Sequence, residues 1–284
     1  MNSREAALLA QKGGLRKLGS RPRLIPYLRE AWGRRSFAFV YARYSLDSAN
    51  ARNRLGAAWV LLLPALQIGI YGLIFGLILG GSRPHNFIPY LVTGVALFRF
   101  ITGSFSSGAR SISSNAGMVR ALRFPRVLLP FALVINQMYS SLPLFGLMLV
   151  IVPFFGEFPR LEWLLIIPII GLAFLFSFGV AMIAARLTVK SSDVTKLIPF
   201  IVRIFFYISG VFWSVDKLLG PLGLVQWANL NPLYVFLKLG RAAIVTGYTA
   251  ELSDWLIALA WTFGTLVIGF IVFFRAENRY GRNG

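Results

Sequence analysis

The chain has 284 residues; 57% are hydrophobic, 15% aromatic and only 14% charged. Soluble domains carry about a quarter charged residues, so an ordinary soluble globular protein is excluded and an all-α polytopic membrane protein is indicated. The formal net charge of +19 is gathered at the ends and in certain loops, the pattern of membrane topology and not of a nucleic-acid partner.

Residues 1–21 are polar and basic and read as a flexible cytoplasmic tail. Residues 22–56 mix aromatics with arginines, Trp32, Arg35 and Tyr41 among them. Rings at headgroup level and arginines toward anionic lipid suit an amphipathic helix lying along the membrane surface; a basic tail that only sets orientation is the plainer alternative. The first apolar run begins near Ala57, behind this segment, so no cleavable leader is expected.

Six spans are predicted within residues 57–275, at about 57–80, 87–106, 127–155, 162–185, 195–213 and 254–274, each close to the ~20 residues that cross a bilayer. Twelve Lys and Arg residues precede the first span, four lie in 107–126, three in 186–196 and three at the C-terminal end, whereas the alternate loops hold five. The positive-inside rule then places both termini in the cytoplasm, with the plasma (inner) membrane as the location and 276–284 as a short cytoplasmic tail. Residues 214–250 contain two apolar pieces, about 217–228 and 233–245, each too short to span and split at Asn231-Pro232. They read as a re-entrant helical hairpin dipping in from the outer side, whose broken backbone must be buried in protein or line a cavity. A helical pair resting on the outer surface is the alternative.

Several chemistries are missing. There is no cysteine and one histidine, His85, so disulfides, Cys-type zinc sites and Cys nucleophiles are excluded; no metal site and no catalytic residue is expected. No G-x-x-x-x-G-K-[ST] occurs, hence no Walker-type nucleotide site. The ten acidic residues are scattered and none is central in a span, against both an ion-coupled carrier and a carboxylate-based glycosyltransferase. The chain is expected to move something with energy supplied from elsewhere. Arg99 and Arg203 fall inside predicted spans, where a cation is a functional candidate by default; they suit an anionic headgroup such as a diphosphate, or else snorkel.

One loop, Ser113 to Pro130, reads "SSNAGMVRALRFPRVLLP". Asn115 is a good N-cap and Pro125 disfavours helix at Phe124, which leaves about two turns between them. Met118, Val119, Arg120, Leu122 and Arg123 lie on this short helix. It is either a peg that inserts into a partner or a loop that only serves topology.

Four stretches together resemble the transmembrane subunit of ABC-2 type (type V) exporters, in the branch that exports lipid-linked polysaccharides such as O-antigen and teichoic acid. They are "RNRLGAAWVLLLP" (52–64), "SISSNAGMVRALRFPRVLLP" (111–130), "KSSDVTKLIPFIVRIFFYISGVFWSVDKL" (190–218) and "ANLNPLYVFLKLGR" (228–241). The resemblance implies a homodimer forming the pore, each copy on a separate ABC ATPase in a 2 + 2 assembly. ATP and Mg would be bound by that partner and no cofactor by this chain. Residues 22–45 and 112–123 would touch the ATPase, and 214–246 would form the outer gate, with Trp227, Asn231, Pro232, Tyr234 and Arg241. Sugar rings stack on aromatic faces, so Phe98, Phe100, Phe105, Tyr139, Phe205, Phe206, Tyr207 and Trp213 are glycan-channel candidates, with ordinary packing and lipid contact as the alternative. The Arg-rich, Cys-free composition and basic tail are similar to actinobacterial members that include exporters of polyprenyl-diphosphate-linked galactan. A membrane-embedded enzyme acting on polyprenyl-linked sugar, and an ABC-2 exporter of drugs or small amphiphiles, are the competing readings.

Overall fold

The basic, aromatic segment folds as two helices, α1 (Leu24–Gly33) and α2 (Arg35–Ala51), in the computed structural model, which describes residues 23–51, 58–78, 80 and 83–280. The expected tail over 1–21, motif residues 52–57 and the last four residues lie outside these. One interfacial helix was expected and two are found. Gly33 is a weak helix former, and Arg34 breaks the helical path while its guanidinium pairs with Glu30 at 3.1 Å.

Ten further α-helices follow among the described residues: α3 (Ala58–Ile78), α4 (Phe87–Ala109), α5 (Ala116–Ala121), α6 (Leu128–Phe154), α7 (Ile166–Lys190), α8 (Asp193–Ile208), α9 (Val215–Leu219), α10 (Val225–Ala228), α11 (Pro232–Ile244) and α12 (Leu252–Phe274). Among the described residues five helices are long and apolar enough to cross a membrane: α3, α4, α6, α7 with its leading 3-10 turn, and α12. The expected span at 195–213 is α8, with 16 residues. It is cut short at Ser209-Gly210, where Gly210 takes a left-handed φ of 64° that continues no right-handed helix.

Helix α4 is the centre of the packing, with Leu91, Val92, Leu97 and Phe100 closed off from solvent. Around it pack α6, α7, α8 and α11. Helices α7 and α12 cross in direct backbone contact. A Cβ on Gly179 would sit 2.5 Å from the Thr265 carbonyl carbon, and one on Gly269 2.4 Å from the Gly179 oxygen. Small residues at a crossing permit such approach where no hydrophobic force drives helices together.

The two faces of the bundle differ. One, the basic face, carries α1, α2, α5 and the end of α12. The far face is closed by Glu157, a buried carboxylate between α6 and α7. It accepts from the Thr246 N–H at 2.9 Å, the Thr246 hydroxyl at 2.6 Å and the Asn86 amide. Burial opposes the charge, but these hydrogen bonds and nearby Arg160 outweigh it and hold the carboxyl below the usual range.

Candidate functional site

Arg99 and Arg203 line one cavity of about 440 Å³, bounded by α3, α4, α6 and α8. Arg99 projects from the middle of α4 and donates to Gln67 Oε1 of α3 at 2.5 Å; Gln67 in turn donates to the Tyr71 hydroxyl at 3.0 Å. Arg203 projects from α8, eleven residues into that helix, or about 15 Å at 1.5 Å per residue. Among the described residues no carboxylate lines the cavity, and no hydrogen bond or ion pair reaches Arg203. Gln137 of α6 completes the polar wall. Its amide end lies over Gly103, where a Cβ would come within 2.5 Å of it.

Aromatic rings form the remaining wall. Phe98 meets Phe206 edge-on at 5.3 Å between centroids, Tyr71 meets Phe206 at 5.2 Å, and Tyr207 joins them. A cation without a local counter-charge, two amides and a ring wall together can take an anionic group with a flat or ring-shaped neighbour.

The other aromatic candidates separate. Phe105 and Phe205 line a second, apolar crevice of about 350 Å³ between α4, α7, α8, α11 and α12. Phe100 is core, edge-on to Phe145 at 6.1 Å. Tyr139 packs in the cluster that seats α2 on α6. Trp213 lies in the turn after α8, its indole donating to the Tyr207 carbonyl at 2.8 Å. The polar residues Gln67, Gln137, Thr102 and Ser106, and the ring of Tyr71, are cavity residues that the sequence reading passed over. An isolated amide within an apolar run was the available signal, on the same argument applied to the arginines.

The stretch expected as a hairpin, 214–250, holds α9, α10 and α11. Asn231 caps α11, accepting from the Leu233 N–H at 3.1 Å, and Pro232 opens it, which is where proline costs least. The Trp261 indole donates to the Asn229 carbonyl at 3.4 Å. Trp261 lies nine residues beyond the start of α12, about 14 Å along its axis, so the bend between α10 and α11 reaches well down the bundle. The gate candidates Asn231 and Arg241 clamp the end of α8. Asn231 donates to the Ser209 hydroxyl at 2.9 Å. Arg241, buried, donates to the Gly210 and Val211 carbonyls at 2.8 and 3.0 Å and lies 3.4 Å above the Tyr90 ring. Those carbonyls stand at the negative end of the α8 dipole, where a cation is favoured. Tyr234 is buried, and Trp227 is exposed on α10.

On the basic face, α5 is shorter than its predicted two turns. It stops at Ala121, and Leu122 is extended, so Arg123 does not share the face of Val119. Val119 is 2% exposed and Leu122 55%; Met118 is half-buried and Arg120 and Arg123 are exposed. Asn115 precedes the helix but its side chain makes no cap bond. Its amide instead donates to the Ser111 carbonyl at 2.8 Å and its Oδ1 accepts from the Tyr41 hydroxyl at 2.5 Å. Two of the expected interface elements are thereby tied to each other. Further ties are Arg34 to the Arg123 carbonyl at 2.8 Å and the Phe37–Phe124 ring contact at 5.4 Å. Trp32 is exposed on α1, and the Arg35 guanidinium lies 4.9 Å from its ring centroid.

A family model described as ABC-2 type transporter matches residues 46–245. The chain is 24% identical over 229 residues to an O-antigen export system permease protein RfbA of Klebsiella pneumoniae, covering 80% of this chain and 86% of that protein. It is 23% identical over 237 residues to a protein of the same description from Myxococcus xanthus, covering 84% and 90%. It is 23% identical over 224 residues to the polysialic acid transport protein KpsM of Escherichia coli, covering 78% and 85%.

Proposed function

Since the chain belongs to the ABC-2 type transporter family, we propose that it is the pore-forming subunit of an ATP-driven exporter of a lipid-linked polysaccharide. Two copies line the path in the plasma (inner) membrane, each seated on a separate ATP-binding-cassette ATPase that holds ATP and Mg. The basic face is cytoplasmic, by the distribution of Lys and Arg, and α8 makes the sixth pass. The cargo carries a polyprenyl diphosphate; cell-wall galactan is the narrowest form of the reading. One observation carries the proposal: an uncompensated Arg203 and a ring wall share one cavity. A cation there is costly, and a diphosphate passing beside it supplies the missing counter-charge while sugars slide on the rings. The named relatives, an O-antigen export system permease protein and a polysialic acid transport protein, support the cargo class.

Co-purification and ATPase assay test this. An ABC ATPase should follow the tagged chain in equal amount, and polyprenyl-diphosphate-linked glycan should stimulate hydrolysis where amphiphilic drugs do not. Arg203→Gln should raise the glycan concentration for half-stimulation about tenfold, the scale of one charged hydrogen bond. A chain that purifies alone and modifies polyprenyl-linked sugar is an enzyme, and the transport reading is then wrong.

A further inference from the structure

The last described residues are not a free tail. After α12 a 3-10 turn (Glu277–Arg279) folds back onto the basic face, and Ala276, Glu277 and Tyr280 are buried. One oxygen of the Glu277 carboxylate accepts from the Arg126 N–H at 3.0 Å and the other from the Tyr27 hydroxyl at 3.0 Å. The Arg126 guanidinium also donates to the Glu277 carbonyl. The Tyr27 hydroxyl accepts from the Val127 N–H at 3.2 Å, and its ring meets Phe274 edge-on at 5.0 Å.

A single carboxylate thus joins three segments far apart in sequence: α1, the two residues that lead from the α5 loop into α6, and the inner end of α12. Val119 of α5 belongs to the same buried cluster as Tyr27, Val127 and Tyr280. Topology alone needs only positive charge on this face. A buried carboxylate is costly unless its oxygens are satisfied, and here each oxygen has a donor from a different segment. Loops absorb displacement, whereas hydrogen-bond networks between rigid elements carry it.

We propose that Glu277 is a positioning residue for coupling: its carboxylate locks α1, the α5–α6 junction and the foot of α12 into one block, so that a push on α5 reaches α12. This rests on the reading of the chain as a subunit driven by a separate ATPase. The chain has no cysteine, so thiol labels can be placed cleanly. Spin labels at R120C and R275C, both exposed positions, report the distance across the block, and a third at F158C, exposed next to Glu157, reports motion relative to the far face. The assembled complex is measured with and without ATP and vanadate.

With Glu277 intact, nucleotide should shift the distances to the third label and leave the R120C–R275C distance narrow and unmoved. Glu277→Ala should broaden and shift that distance in the same complex, and Tyr27→Phe, which removes one donor and changes little volume, should do so to a smaller degree. Glu277→Gln should restore part of the narrow distribution, because its carbonyl still accepts from Arg126. If E277A does not assemble, Y27F and E277Q decide the matter. A distance that stays narrow in the variants, or that moves with Glu277 intact, overturns the block. If no ATPase assembles, or nucleotide moves none of the labels, the underlying reading has failed instead.

Discussion

Helices α3 and α4 are neighbours of similar length, yet their surroundings are opposite. The apolar window of α4 is 83% buried and that of α3 only 11%, although α3 is the more apolar, with a mean hydropathy of 2.1 against 1.4. In water the more apolar helix goes inside. In a bilayer, lipid tails are as apolar as leucine, so hydropathy does not sort interior from exterior. The helix that carries polar side chains goes to the middle, out of the lipid. Thr102 and Ser104 of α4 bond back to their own helix at 2.7 and 2.9 Å, and Arg99 reaches across to Gln67.

The comparison breaks most visibly at glycines. Gly108→Leu in α4 should abolish recovery of monodisperse protein, because even a Cβ there would lie 2.3 Å from the Cβ of Ala181 and overpacking costs about 1–3 kcal/mol or more. Gly69→Leu in α3 has nothing within 4 Å and should leave the melting temperature in detergent unchanged. An equal loss from both would mean that another chain covers α3. A similar contrast holds outside the spans. Val119→Asp buries an unpaired charge and should destabilise the protein by about 3 kcal/mol, whereas Leu122→Asp should leave stability intact and lower ATPase-coupled export.

The bond between the two helices sharpens the comparison further. A double-mutant cycle with Gln67→Leu and Arg99→Gln should give a coupling of about 1.5–3 kcal/mol, the range for hydrogen bonds to charged groups, and near zero if α3 is held by lipid alone. The smallest effect belongs to the far face. Glu157 is held below its ordinary value of 4.5, so its contribution is complete above that pH and is lost as pH falls through the folded-state value. Thermal unfolding followed from pH 6 to pH 3 should show the loss, and Glu157→Gln should flatten it.

Much of this was legible in sequence where one physical rule acts alone. The ends of α4, α6 and α12 fall within about three residues of expectation, because length and hydropathy decide them. Asn231-Pro232, read as a break between two apolar pieces, is where α11 starts. Burial within the bundle was not: nothing in the periodicity of α4 distinguishes a lipid-facing leucine from a core one. The cavity was half readable. Arginines in a span draw attention, but Gln67 and Gln137 acquire meaning only when four helices bring them beside Arg99 and Arg203. Asn115 was read as a cap from local preference, and its real partner, Tyr41, lies 74 residues away, beyond any local rule.

The shortness of α8 has a consequence for the membrane itself. Sixteen residues cover about 24 Å, against a hydrocarbon core of about 30 Å. A helix that falls short is accommodated by local thinning of the bilayer or by water drawn in at its ends. On the proposal that α8 makes the sixth pass, the insulating layer thins beside the helix that carries Arg203, and the lipid as well as the protein would lower the electrostatic barrier to a charged headgroup there.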